Sequence, residues 1–273
     1  MSREQHGESE NNQEAVDLRL LFDLGPSDGY RNSVRVQTFE NQQSALLEIA
    51  NLVRLDYILT ESLFRILPYG HPTTELSTES ETDFKASIYL ALGGYYRQAI
   101  AALRGWLEII LTSIYYNRND NSPDSPYDRF KQGCERSPGW KSLLNNLFKR
   151  DNFATVDKKH DLKQLLEDLY GDLSAFVHRR GFGQHDLQLL RDIPRYDSVS
   201  FDLWFSRAKR TSDATVQVLI VEYARQLRQY FSTSSQELAS FQKHLPKETV
   251  ERPLVAEFLA SISTEMSSFP IGT

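Results

Sequence analysis

Apolar residues recur at intervals of three and four along most of this chain, a spacing that places them on one face of an α-helix. The first such stretch runs from about residue 36 to residue 67, where Pro68 and Gly70 end it. The segment that follows, TTELSTESET, is rich in Ser, Thr and Glu and has no helical period. The pattern therefore predicts one long amphipathic helix followed by a solvated linker.

A second helical stretch is the most apolar part of the chain. We expect Thr82 or Asp83 to cap it and the helix to run to about Tyr116. Its sequence, FKASIYLALGGYYRQAIAALRGWLEIILTSIYY, is apolar over most of the circumference, which is typical of the central helix of a bundle. The pair Gly93-Gly94 within it favours a bend or a break.

The middle of the chain alternates between loop and helix. NRNDNSPDSPYDRFKQGCERSPG has the composition of a loop, and WKSLLNNLFKR predicts a short helix. A further helix is predicted from Lys158 to Arg179, and Gly181 closes it. Its apolar stripe consists of Leu162, Leu165, Leu166, Leu169, Leu173, Phe176 and Val177.

The last third of the chain has weaker patterns. Residues 181 to 198 predict a loop, and residues 199 to 205 alternate like a strand, although a helical turn fits their pattern equally well. A helix is predicted from Asp213 to Phe231, and one or two short helices are predicted within residues 235 to 268.

These elements predict an all-α fold, an antiparallel helical bundle that occupies residues 30 to 231. Residues 1 to 29 begin with a polar, acidic stretch that cannot bury enough apolar surface to offset the entropy of ordering. We expect this N-terminal segment to be disordered or loosely packed. Residues 232 to 273 are expected to form a short C-terminal helical appendage.

Composition narrows the class of protein. The 273 residues include 31 Lys and Arg against 37 Asp and Glu, a net charge of -6 that is ordinary for a globular protein. Cys134 is the single cysteine, so an intrachain disulfide and a multi-cysteine zinc site are excluded. His and carboxylate residues lack metal-ligand spacing and no glycine-rich nucleotide loop occurs, so we expect neither a metal nor another cofactor. The chain has no apolar run of about 18 residues and no signal-peptide core, which predicts a soluble, cytoplasmic protein without a membrane partner.

Two of the predicted helices carry a polar stripe beside their apolar face. At about 100° per residue, the second helix places on one stripe Arg97, Arg104 and Glu108. The helix that ends near residue 179 places one turn apart Tyr170, Ser174 and His178. If the two helices are neighbours, these stripes meet in a supporting polar network at the edge of the bundle. Alternatively, each residue is a satisfied boundary residue without chemistry, because buried polar groups are generally hydrogen-bonded.

The pairing of AIAALRGWLE with LYGDLSAFVHRRG resembles a group of bacterial all-helical proteins related to HEPN domains (higher eukaryotes and prokaryotes nucleotide-binding domains), over about residues 84 to 230. In that group a Leu-Arg-x-x-Leu-Glu helix packs against one that bears Tyr-x-x-Leu-Ser-x-x-x-His. HEPN ribonucleases carry an Arg followed, after four to six residues, by a His. Here Arg180 and Arg179 precede His185 with four and five residues between them.

The resemblance implies metal-independent RNA cleavage, in a toxin or a phage-defence ribonuclease, at a site shared by the two subunits of a homodimer. It makes Arg180, His185, Arg179 and His178 the candidate catalytic residues. Cleavage through the 2′-hydroxyl of RNA requires a base of near-neutral pKa, which suits His, and a cation over the phosphate, which suits the forked guanidinium of Arg.

Charge is distributed unevenly along the chain. Residues 178 to 210 carry seven Arg and Lys against four Asp, a net charge of +3, whereas residues 1 to 81 carry six against fourteen, a net charge of -8. The basic stretch also contains Phe182, Tyr196 and Trp204, whose rings are available to stack on bases. The sequence therefore predicts an RNA- or nucleotide-binding protein. The alternatives are that the basic stretch is a solvated loop surface, or that the protein is a non-catalytic helical module that binds another protein.

Overall fold

The computed structural model describes residues 28–117, 125–178 and 194–268. These ranges contain twelve α-helices and no strand, which confirms the all-α fold. In chain order the helices are α1 Asp28–Asn41, α2 Gln43–Ile66, α3 Pro72–Leu92, α4 Tyr96–Tyr115, α5 Pro126–Lys131, α6 Trp140–Leu147, α7 Asp151–His160, α8 Leu162–His178, α9 Ser198–Thr233, α10 Ser235–His244, α11 Lys247–Val250 and α12 Pro253–Ser268.

The first predicted helix is in fact two helices, α1 and α2. They are separated at Gln42, whose backbone angles (φ -122°, ψ 30°) are not helical. The predicted end before Pro68 is confirmed, because α2 stops at Ile66. The break turns α1 towards α3, where the Thr38 hydroxyl donates to the carbonyl oxygen of Leu92 at 3.3 Å.

The solvated linker predicted for residues 73–82 is wrong, since these residues form the first half of α3. The helix starts under a cap in which Nδ1 of His71 accepts a hydrogen bond from the backbone N–H of Thr73 at 3.1 Å. The Ser77 hydroxyl donates to the carbonyl of Thr73, and the Ser80 hydroxyl donates to the carbonyl of Ser77. Because these side chains bond back to their own helix, they are buried without an unpaired hydroxyl.

The Gly93-Gly94 pair breaks the second predicted helix into α3 and α4. Gly94 has a φ of +79°, and a Cβ at this position would overlap the backbone of Arg195. Glycine is therefore required here both by the left-handed backbone and by the close approach of another segment.

Helix α4 packs against α8, and the two run in opposite directions. Arg97, near the start of α4, contacts Val177 near the end of α8, whereas Arg104, two turns later, contacts Tyr170. The predicted leucine stripe of α8 faces this core, with the following side chains at most 4% exposed: Leu162, Leu166, Leu169, Leu173 and Phe176. Leu165 and Val177 are only partly buried.

Two short helices lie where the sequence predicted none. Helix α5 interrupts the predicted loop, with Ser125 as its cap and Tyr127 buried. Helix α7 ends at His160, because the φ of +51° at Asp161 breaks the helical path, and α8 begins at Leu162, four residues after the predicted Lys158. The short helix predicted from residue 140 is confirmed as α6. The predicted closure at Gly181 lies outside the described residues.

Helix α9 is the longest helix and includes the segment 199–205, which is helical rather than extended. The predicted helix from Asp213 to Phe231 is its second part. Residues 211–221 are buried on every side, although Asp213 and several other polar residues lie among them. At Tyr223 the backbone leaves helical geometry (φ -115°, ψ 20°), and α9 is kinked there.

Three helices follow α9, one more than the largest number predicted for this segment. They pack into the same hydrophobic core as α4 and α9, to which they contribute Leu238, Phe241, Leu245, Leu254, Val255, Phe258 and Ile262. Among the described helices none combines the length and the apolar character that crossing a membrane would require.

Candidate functional site

The candidate catalytic residues fall at and beyond the end of α8. His178 is the last residue of this helix. Arg179, Arg180 and His185, together with Phe182, lie outside the described residues. The structure therefore describes the residues around the C-terminal end of α8, where the segment 179–193 begins. Two groups of polar residues lie there.

The first group is the pair of polar stripes on α4 and α8. Nη2 of Arg104 donates to the Tyr170 hydroxyl at 2.7 Å, and Nε of Arg104 donates to Glu108 Oε1 at 2.9 Å. The ring of Tyr170 stacks on Trp140 of α6, with ring centroids 3.8 Å apart. Oγ of Ser174, one turn further along α8, is buried beside this phenol but makes no hydrogen bond of normal geometry among the described residues.

Burial raises the pKa of the Tyr170 phenol, and the neighbouring Glu108 carboxylate raises it further. The phenol is therefore neutral at physiological pH and serves as a hydrogen-bonding group rather than as a base. Arg104, Glu108 and Tyr170 are satisfied by one another, and they link α4, α6 and α8 in one register.

The second group consists of three arginines around the last two turns of α8, which we call the arginine cluster: Arg97, Arg207 and Arg210. Nη2 of Arg97 donates to the carbonyl oxygen of Val177 at 3.4 Å. Arg207 and Arg210 of α9 both bind the carboxylate of Asp172, at 2.7 and 2.8 Å. Two guanidinium groups thus bind the carboxylate of Asp172, and a third contacts the backbone near the end of α8.

The members of the arginine cluster are held to different degrees. The guanidinium of Arg207 lies over the ring of Phe176, 4.2 Å from its centroid, and donates to the carbonyl oxygen of Leu203 at 3.0 Å. Its side chain is 11% exposed, whereas that of Arg210 is 46% exposed. Arg207 is therefore fixed within the bundle, and Arg210 presents its charge to solvent.

The start of α4 holds both flanks of the segment 179–193. On one flank, Arg97 contacts Val177, immediately before the end of α8. On the other flank, the Tyr96 hydroxyl accepts a hydrogen bond from the backbone N–H of Asp197 at 3.3 Å. The N-terminal ends of α4 and α9 meet there, and helix N-termini carry partial positive charge. The first turns of α4 and α9 therefore adjoin the C-terminal end of α8 at this place.

One of the predicted stacking rings is not available. Trp204 is 0% exposed, and its Nε1 donates to the Ser87 hydroxyl at 2.9 Å, so the prediction that it stacks on bases is wrong. Its apolar neighbours on α9 recur at helical spacing, which is the reason that it faces the core. Tyr196 is partly buried, and its hydroxyl accepts a hydrogen bond from Gln42 at 3.1 Å.

A polar network at the far end of α4 was not predicted from the sequence. Because Nδ1 of His71 accepts from Thr73, its Nε2 carries the proton and donates to Asn117 Oδ1 at 2.9 Å. Nδ2 of Asn117 donates to Glu222 Oε1 at 2.6 Å, and Nη1 of Arg150 binds the same oxygen at 3.2 Å. Burial lowers the pKa of His71, which keeps the ring neutral. The His-Pro dipeptide, a helix-start signal, is the feature that could have located this network.

A buried carboxyl group lies outside all the predicted sites. Asp56 of α2 is 8% exposed and lies on the apolar face that packs against α3. Burial, with a smaller contribution from Glu81, raises the pKa of Asp56 to about 7, whereas Lys85 acts to lower it. An acid within the apolar stripe of α2 is visible in the sequence, but its burial is visible only in the fold.

In the described ranges, His, Cys, Asp and Glu side chains nowhere form a group of three that could hold a metal ion. The thiol of Cys134 is free and exposed. Comparison with protein-family models, with curated proteins and with solved structures finds no match for this chain. The functional argument therefore rests on the geometry at the end of α8.

Proposed function

We propose that this protein is a cytoplasmic, HEPN-like RNA-binding protein whose RNA strand lies on the arginine cluster. The observation that supports this proposal is the convergence of Arg97, Arg207 and Arg210 on the last turns of α8, directly before Arg179 and Arg180 in the chain. Arg207 and Arg210 together outweigh the single carboxylate of Asp172, and phosphate backbones bind such positively charged surfaces through charge-assisted hydrogen bonds.

In this proposal the segment 179–193 supplies the chemistry and the bundle supplies its position. His185 takes the proton from a 2′-hydroxyl group, and the 2′-oxygen attacks the adjacent phosphorus. Arg180 stabilises the charge that develops on the phosphate oxygens. The bond between phosphorus and the 5′-oxygen breaks, and the 5′-oxygen takes a proton from solvent, so the products carry a 2′,3′-cyclic phosphate and a 5′-hydroxyl. No metal ion takes part.

Binding is tested by fluorescence anisotropy with a labelled single-stranded RNA at several salt concentrations. Arg210→Gln removes the exposed cation of the cluster, and we expect weaker binding with a salt slope reduced by about one. The matched control is Arg225→Gln, an exposed arginine of the same helix roughly 20 Å further along, which should bind RNA as the parent does. If the parent protein does not bind RNA at low salt, the proposal is wrong and the helical protein-binding module is the better interpretation.

Cleavage is tested by incubating the protein with total RNA in the presence of EDTA and analysing the ends of the products. We expect His185→Ala and Arg180→Ala to abolish cleavage without changing the melting temperature. A substrate with 2′-deoxyribose at the cleaved position should remain intact, since it lacks the nucleophile. Unchanged cleavage by both variants, or no cleavage by the parent, would remove the ribonuclease from the proposal.

We further propose that the protein is a homodimer, since the HEPN-like site is shared between two subunits. Light scattering of the purified protein at micromolar concentration tests this point. A particle of twice the chain mass is expected, and a monomer near 31.5 kDa would exclude the shared site.

A further inference from the structure

A cavity of about 540 Å³ lies where α7, α9 and α12 meet, away from the arginine cluster. Its walls are largely apolar and are formed by Val156 of α7, Ile220 and Ala224 of α9, and Leu254 and Phe258 of α12. This volume is within the range of pockets that bind small molecules, and such pockets combine apolar walls with a few polar groups.

The cavity has a structural cause in the kink of α9. The kink at Tyr223 lies between Val221 and Ala224, which both line the cavity. Nδ2 of Asn152, from the first turn of α7, donates to the carbonyl oxygen of Val221 at 3.2 Å beside the kink. A side chain bonded at this point is a known way to hold a helix bent. The kink and the hydrogen bond beside it therefore lie at the wall of the cavity.

The two acidic residues that line the cavity and the one arginine differ in how their charges are compensated. Glu257 is neutralised by Lys159 at 2.6 Å and lies 3.8 Å from His160. Asp151 lies in the first turn of α7, where the helix dipole favours a negative charge. Arg228 lines the cavity and is partly buried, and its Nε donates to the carbonyl oxygen of Ala224 at 3.2 Å. Among the described residues it forms no ion pair, so its positive charge has no carboxylate partner.

We propose that this cavity binds a small amphipathic carboxylate, with its carboxylate on Arg228 and its aliphatic chain between Ile220, Leu254 and Phe258. The forked guanidinium matches the two oxygens of a carboxylate, and the apolar walls match a hydrocarbon chain of about ten carbons. This site is independent of the RNA site, because it uses a different segment of α9 and none of the residues of the arginine cluster.

The proposal is tested by isothermal titration calorimetry of the full chain with sodium decanoate, with decanol as the neutral probe of equal length. Decanoate should bind with a stoichiometry of one and about tenfold more tightly than decanol. Octanoate should bind about tenfold more weakly than decanoate, because two fewer methylene groups are buried. A stoichiometry well above one would show adsorption to the surface and would overturn the proposal.

Variants separate the two halves of the site. Arg228→Gln should weaken decanoate binding about tenfold and leave decanol binding unchanged, whereas the exposed neighbour variant Arg225→Gln should bind both as the parent does. Ala224→Leu fills the cavity and should abolish binding of both probes. Ser261→Leu fills it from α12 and provides the same test if the first variant does not fold. If both filling variants still bind the probes, or if Arg228→Gln binds decanoate as tightly as the parent does, the proposed site is wrong.

Discussion

Replacing Asp56 by Asn should change how the stability of the protein depends on pH. The carboxyl group is buried between α2 and α3, where burial raises its pKa from 3.8 to about 7. Asn has nearly the same size and no charge. The substitution therefore removes the ionisation and leaves the packing largely unchanged.

The sign follows from proton linkage. Between the unfolded pKa and the folded pKa, the folded protein binds more protons at Asp56 than the unfolded chain does, so stability falls as pH rises. The contribution of this group is fully present below pH 3.8, is lost progressively up to about pH 7, and stays lost above it. At up to ~1.4 kcal/mol per pH unit, the loss between about pH 5 and about pH 8 amounts to about 2 to 3 kcal/mol.

The assay is urea unfolding of the parent and of Asp56→Asn, followed by tryptophan fluorescence at several pH values. The stability of Asp56→Asn relative to the parent should increase by about 2 to 3 kcal/mol from about pH 5 to about pH 8. Taking the difference at each pH removes the contribution of His71, whose lowered pKa acts in the opposite direction below pH 6.5. Asp168→Asn, on the exposed face of α8, is the control for exchanging a carboxyl group for an amide without burial. A pH-independent difference for Asp56→Asn would refute the reasoning.

Three further substitutions test the bundle by urea unfolding. Leu173→Ala truncates a side chain that is 0% exposed on the core face of α8, and it should lower the free energy of unfolding by about 2 to 5 kcal/mol; no loss would place this face outside the core. Gly94→Ala should destabilise the protein more than Gly133→Ala, since both residues have positive φ but only the first would overlap another segment; equal losses would contradict the close approach. Tyr170→Phe should cost about 1 kcal/mol, because it removes the hydroxyl that accepts from Arg104, and it should leave RNA binding unchanged.

The elements that the sequence predicted well are those whose apolar residues recur without interruption. The stripe of α8 and the end of α2 before Pro68 are examples, since each depends on local signals only. The first half of α3 was missed because its buried face is built from Ser and Thr, whose hydroxyls are satisfied by carbonyls of the same helix. Composition alone treats such residues as solvent-exposed.

In the candidate site, too, contacts within one helix were predicted from the sequence, whereas contacts between distant helices were not. The helical spacing of 100° per residue predicted that Arg104 and Glu108 lie together, because both belong to α4 and are four residues apart. The pairing of Asp172 with Arg207 joins two helices that are distant in sequence. Such a contact depends on which helices are neighbours, and the sequence pattern of a single helix does not show its neighbours.

The anchoring of residues 179–193 at both flanks has a consequence for how this protein can change. A change in length between two flanks that are held at the same helix end adds little strain to the core, and doubling the length of a flexible connection costs only about 0.6 kcal/mol in closure entropy. Arg97 and Tyr96 hold the two flanks through backbone groups, the carbonyl oxygen of Val177 and the N–H of Asp197. We therefore expect insertions, deletions and substitutions within residues 179–193 to leave the packing of the described helices unchanged.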